Sequence, residues 1–254
     1  SHKPRLLVCA GDQIYEGNPT SADSPDNPTL DYLYKWYLWA WAFKDLTRST
    51  PTIVQTDDHD IYQGNLWGNG GRAAPTEIID VGGRAERVRD QNRGGYVYGP
   101  EFINLVQRTQ CGHNPDPYDP TPIEQDIGVN YGMFKFGGIS FAFLEDRKFK
   151  TAPIQGQDLD VHEAQLLGAR QEAFLEAWGR DDEGVDGRIC LTQSLFACLQ
   201  TSPGGQALLD WDANGQPKLH RDRAVTLLRD AGALVLSGDQ HLGSLIRHGI
   251  DSHT

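Results

Sequence analysis

Three short segments of this 254-residue chain concentrate side chains able to hold a cation. In Thr56-Asp57-Asp58-His59-Asp60, three carboxylates and an imidazole fall in four consecutive positions. Carboxylates that close repel one another and raise each other's pKa. A bound cation relieves the repulsion by stabilising the ionised forms. In Ser237-Gly238-Asp239-Gln240-His241, Asp239 and His241 stand two apart, so an extended backbone points both the same way. An Asp–His pair suits a borderline or hard ion. In Gly11-Asp12-Gln13-Ile14-Tyr15, a phenol follows the carboxylate by three residues. A phenolate selects for ferric iron or another strong Lewis acid. Each segment alone also has an ordinary reading: a solvated acidic turn, a strand end with a turn-forming Asp, a tyrosine at the edge of the core. The tripeptide Gly-Asp-Gln, however, occurs in both the first and the last of these places.

The elements that must position these residues are legible around them. Short apolar runs at 5–10, 52–55, 139–144, 188–191 and 233–236 read as strands. Most are continuous rather than alternating, as expected of strands covered on both faces. Helical patterns lie between them. One spans 31–46. A second is expected to start at Asp160, with Glu163 completing a capping box, and to run through Leu167, Phe174, Leu175 and Trp178 to a stop at Gly179. A third covers 220–230. Strands alternating with helices predict an α/β fold, in which ligands bind beyond the carboxyl ends of strands. Four strands end in polar segments: the three above and Thr192-Gln193-Ser194. Such ends in neighbouring strands converge on one patch.

Residues 64–130 are rich in Gly, Pro, Asn and Asp and read as long surface loops beside the core, either a functional rim or a decorative insertion. No boundary divides the chain, so 1–254 is taken as one domain carrying that insertion. The 31–46 helix carries Tyr32, Tyr34, Trp36, Tyr37, Trp39, Trp41 and Phe43 all round its circumference. That pattern predicts burial on several sides, with core packing favoured over substrate stacking.

Acidic residues outnumber basic ones 35 to 23, a formal net charge of −12. This disfavours nucleic acid as a partner, since nucleic-acid binders show a basic face. No apolar run reaches the 18 residues of a membrane span. No signal-peptide pattern opens the chain. Cys9, Cys111, Cys190 and Cys198 form no zinc spacing, and Cys9 and Cys190 read as buried free thiols.

The ordered set G-D-x-x-Y, D-D-H-D and G-D-x-H, each at a strand end, resembles the calcineurin-like metallophosphoesterase superfamily, and within it the alkaline phosphatase D (PhoD-like) branch. Glu145-Asp146-Arg147, LLGARQEAFLEAW at 166–178 and LTQSLFA at 191–197 also match. The resemblance implies a four-layer αββα sandwich of two mixed sheets. It implies hydrolysis of small phosphate esters, mono- or diesters, by a dinuclear centre with a metal-bound hydroxide as nucleophile. By position it implies Asp12 as the carboxylate bridging two metals, Tyr15 as a ligand of iron, and Asp58, Asp239 and His241 as further ligands. It also implies His59 as the residue that hydrogen-bonds the phosphoryl oxygen or protonates the leaving group. Arg147 is a candidate clamp on a phosphate oxygen, and Gln193 falls near another ligand's place. The two metals implied are iron with calcium or another divalent ion, Mn, Zn or Mg. Family members are often exported, so a periplasmic or secreted location is the matching expectation. The superfamily's first ligand lies on a strand before Asp12, and only eleven residues precede Asp12 here. The expectation is therefore a domain truncated at both ends. An incomplete centre remains the alternative: a non-catalytic or single-metal module that binds phosphate or calcium. A nuclease on the same centre is a third reading.

Overall fold

A computed structural model describes residues 3–17, 27–153, 163–196, 204, 216–239, 243 and 245–247. The strands are β1 (Leu7–Ala10), β2 (Thr52–Gln55), β3 (Thr76–Val81), β4 (Arg84–Arg89), β5 (Gly132–Phe136), β6 (Ile139–Phe143), β7 (Gly187–Thr192) and β8 (Ala233–Ser237). The helices are α1 (Pro28–Thr47), α2 (Pro100–Cys111), α3 (Asp146–Phe149), α4 (Gly168–Arg180) and α5 (Lys218–Asp230).

β1 and β2 pair in parallel, while β5-β6-β7-β8 form a mixed sheet, antiparallel at β5–β6 and parallel beyond. Strand alternation separates two apolar faces on the larger sheet. Ala142, Leu144 and Cys190 pack with Phe174, Leu175 and Trp178 of α4 and Ala224 and Leu228 of α5. Phe143 and Leu191 turn the other way and meet Ile53 of β2. The far side of β2 is covered by α2. Helices, small sheet, large sheet and helices thus lie in four layers, the αββα arrangement. Trp178 anchors the helix-covered face, with its Nε1 donating to Ser140 Oγ at 2.8 Å. Truncation of so large a buried ring typically costs about 3–5 kcal/mol. No helix among the described residues is long and apolar enough to cross a membrane.

Three local expectations need correction. The stretch 64–130 contains the β3–β4 hairpin and α2, and α2 buries Phe102, Ile103 and Val106 in the core. Pro100 at its first turn supplies a pre-set φ where no amide donor is needed, so a proline-rich stretch starts a helix rather than preventing one. Helix α4 begins at Gly168, whose φ of +74° cannot continue a right-handed helix back toward 160. The proposed cap, Asp160, lies outside the described residues. Gly179 sits inside α4, where a Cβ would lie 3.1 Å from the Cβ of Ala231, so it serves close packing rather than termination. Finally, α1 buries only Tyr32 and Lys35. Tyr34, Tyr37, Trp41 and Phe43 are exposed. Trp36 and Trp39 pack against the edge of the core and stack on each other at 4.8 Å, while Lys44 lies 3.6 Å over Trp41.

Candidate metal centre

The sheet registers deliver the polar segments to one place. Ala10 pairs with Gln55, so Gly11-Asp12 and Thr56-Asp57 leave the small sheet side by side. Thr192 pairs with Ser237, so Gln193 and Asp239 leave the large sheet together. Gly238 joins the two sheets: a Cβ there would lie 2.5 Å from the carbonyl oxygen of Ala10. Gly11 is equally constrained, with φ +103° and Asp57 Cβ 2.5 Å from where its own Cβ would stand. Both repeated glycines therefore exist for close approach. The aspartates that follow share the left-handed conformation, Asp12 at φ +58° and Asp239 at φ +73°. For a non-glycine residue that costs about 1–2 kcal/mol, and Asp is among the residues that tolerate it best.

Two groups of ligand atoms result. Asp12, Asp58 and His59 each offer an atom within 4.8 Å of the others, and so do Asp57, Asp58 and Asp239. Asp58 belongs to both. Tyr15 joins the first group, its hydroxyl donating to Asp12 Oδ2 at 2.8 Å. Burial, that hydrogen bond and neighbouring carboxylates push the Tyr15 phenol above its ordinary pKa, so here it is a neutral donor. His241 lies outside the described residues.

His59 stacks on Tyr15 with ring centroids 4.3 Å apart, and its Nδ1 meets Glu16 Oε2 at 2.8 Å. Burial lowers the imidazole pKa, but the Glu16 hydrogen bond and the charges of Asp58, Glu16 and Asp12 outweigh it, and the net shift is upward. Glu16 carried no role in the sequence reading. Its signal was present in the Asp12-x-x-Tyr15-Glu16 spacing, but only the fold brings it to a residue 43 positions away.

Arg147 is fully buried, with Nε 2.8 Å from Asp57 Oδ1 and a terminal nitrogen 2.9 Å from Asp239 Oδ1. Burial holds the Asp57 carboxyl well above the ordinary carboxylate range, with Arg147 pulling it back. Gln193 Oε1 accepts from the Arg147 amide at 3.2 Å, and its Nε2 donates to the Thr56 carbonyl. It thereby ties the large-sheet edge to the acidic turn.

Asp60 organises the arrangement from beneath. Its Oδ2 accepts from the amides of Asp12 and Asp57, both at 2.8 Å, and its Oδ1 accepts from Ile14 N and Gln110 Nε2, both at 3.0 Å. One carboxylate thus fixes both strand ends of the small sheet that carry ligands. Burial pushes its pKa up to about 7 despite these bonds. Asp60→Ala would strand three backbone amides and the Gln110 carboxamide, at about 1–3 kcal/mol for each buried one. Denaturant unfolding of the metal-free chain should show a loss of about 3 kcal/mol or more. A loss below about 1 kcal/mol would contradict this account.

The donor set fits cations. Asp12 Oδ1 is buried with no hydrogen-bond partner among the described residues. Five aspartates, Asp12, Asp57, Asp58, Asp60 and Asp239, share the site with one arginine. Carboxylates crowded this closely raise one another's pKa, and a bound cation would relieve that by favouring the ionised forms.

A family model for PhoD-like phosphatases matches residues 1–248. A solved structure described as "Structure of PhoD" is similar in fold, with a TM-score of 0.64 and 21% identity, covering 94% of this chain and 46% of that one. This chain therefore spans about half the length of that relative. No curated protein matches.

Proposed function

Because the chain belongs to the PhoD-like phosphatase family, we propose that this site hydrolyses small phosphate esters with two bound metal ions. The observation that carries the reading is Asp58, whose carboxylate lies within ligand distance of two separate groups, beside the unpartnered Asp12 Oδ1. Asp12, Tyr15 and Asp58 would hold one ion, with Asp58, in place of the Asp12 that the resemblance implies, as the carboxylate common to both groups. Asp58, Asp57 and Asp239 would hold the other, with His241 a ligand by family resemblance. When bound, the ions would supply Lewis-acid stabilisation of phosphate oxygens and a water of lowered pKa as nucleophile.

The protein's own groups do the rest. Glu16 occupies His59 Nδ1, which leaves Nε2 to hydrogen-bond the phosphoryl or leaving-group oxygen and to give it a proton. Arg147 orients Asp57 and Asp239 and balances part of their charge. Clamping a phosphate oxygen as well would draw on the guanidinium's remaining donors. Tyr15 favours ferric iron for the first ion, while the carboxylate-rich second group suits calcium, with Mn, Zn or Mg as alternatives. The net charge of −12 favours small esters over polyanions.

A second reading has one observation behind it. Arg147 already places a positive charge between Asp57 and Asp239, which suits a chain that binds a single ion or phosphate without cleaving it. Elemental analysis with assays on p-nitrophenyl phosphate and bis-p-nitrophenyl phosphate separates the two. Two metals per chain, with turnover abolished by chelation and restored by metal, is the expected result. One calcium or none, with no turnover of either ester, would favour the binding module.

A further inference from the structure

We infer that Lys35 of α1 is a positioning residue for this centre, holding the backbone that carries Tyr15 and Glu16. The inference rests on reading the centre as metal-binding. Lys35 is 3% exposed, and a buried ammonium must be paired and hydrogen-bonded to be tolerated. Its Nζ meets Asp31 Oδ2 at 2.8 Å and donates to the carbonyls of Tyr15 at 2.9 Å and Glu16 at 3.0 Å. Those three partners take up the three protons of an ammonium. Asp31 is held in turn by the Tyr62 hydroxyl at 2.6 Å, and the ammonium lies 5.0 Å from the Tyr62 ring centroid.

Two consecutive carbonyls on one ammonium fix the peptide between Tyr15 and Glu16. The side chains on either side of that peptide both serve the centre. Tyr15 reaches Asp12, while Glu16 reaches His59 Nδ1. The start of the same loop is tied by Asp60 through the amides of Asp12 and Ile14. The loop is thus anchored by a carboxylate at its beginning and an ammonium at its end. Only the second anchor sits beside the phenol and the imidazole's partner. A neutral side chain at position 35 would leave two part-buried carbonyls without this donor, and the phenol and the carboxylate would lose their fixed placement together.

The test titrates ferric iron into the metal-free full chain and follows the phenolate-to-iron absorption band, which reports Tyr15 directly. Lys35→Met is expected to weaken iron binding about tenfold or more, the usual effect of removing a support behind a ligand, and to diminish the band. Leu228→Ala is the comparator, because Leu228 is 3% exposed in the core between α4, α5 and the large sheet. It should lower the thermal midpoint and keep wild-type iron affinity. A folded Lys35→Met with wild-type affinity and band overturns the inference. If Lys35→Met does not fold, Tyr62→Phe decides. It removes only the hydroxyl that orients Asp31 and should weaken iron binding in the same direction by a smaller factor; no change overturns the inference. A wild-type chain that binds no iron overturns the reading of the centre and this inference with it.

Discussion

Asp12→Asn is expected to carry less than its full metal complement and to lose about a thousandfold in kcat/KM toward a phosphate ester. The magnitude follows from the several kcal/mol of charge stabilisation that bound ions supply. The loss should be chemical rather than structural. Asparagine tolerates the left-handed φ of +58° nearly as well as aspartate. The amide of residue 12 keeps its bond to Asp60. What disappears is the negative charge of a carboxylate whose Oδ1 is buried without a partner. Removing one of several crowded charges should leave the metal-free thermal midpoint unchanged or higher. Elemental analysis, steady-state kinetics and thermal unfolding on one preparation check the three parts together. Wild-type metal content and turnover in Asp12→Asn would refute the site.

His59→Ala separates the roles in the opposite way. The imidazole is one of the grouped atoms, yet its two observed partners are Glu16 and the Tyr15 ring. Both would survive its removal: Glu16 is 40% exposed on its side chain and can turn to water. The variant should therefore keep its metals and lose about 10²–10⁴-fold in kcat, the usual worth of a positioned proton donor. The loss should grow with the basicity of the leaving group, since a poor leaving group needs the proton more. An equal loss across leaving groups would reassign His59 to holding Tyr15. A loss of metal would make it a ligand.

Part of this arrangement is legible in the sequence. β2 lies where the apolar run 52–55 places it, and β1, β6, β7 and β8 match their apolar runs to within a residue or two, because such runs are a local signal. Cover on both faces is not: β1 and β8 hold no buried residue, and Leu234 and Leu236 are exposed. The boundary of α4 and the surface rings of α1 were misread. A glycine's φ and a helix's covered faces depend on neighbours from distant sequence. Among site residues, Asp12, Tyr15, Asp58 and Asp239 were candidates by residue type and strand-end position, and the fold gathers all four. Asp57 and Asp60 stand in the acidic segment read as cation-holding, but their separate roles, and those of Glu16 and Lys35, are not legible in the sequence. Each acts through a partner between 20 and 90 positions away or through several backbone amides at once.

By itself, then, the sequence determined that acidic and cation-seeking groups stand at the ends of apolar strands, with glycine before two of the aspartates. Residue chemistry and periodicity are local properties, and they survive without knowledge of the fold. The tertiary structure alone decided that the two Gly-Asp-Gln copies are neighbours, with Gly238 against Ala10 and Gly11 against Asp57. It also decided which aspartate faces ligand atoms, which receives amides and which is met by Arg147. Those assignments are set by sheet register and by which buried donor finds which acceptor, and both are fixed only when the two sheets close on each other.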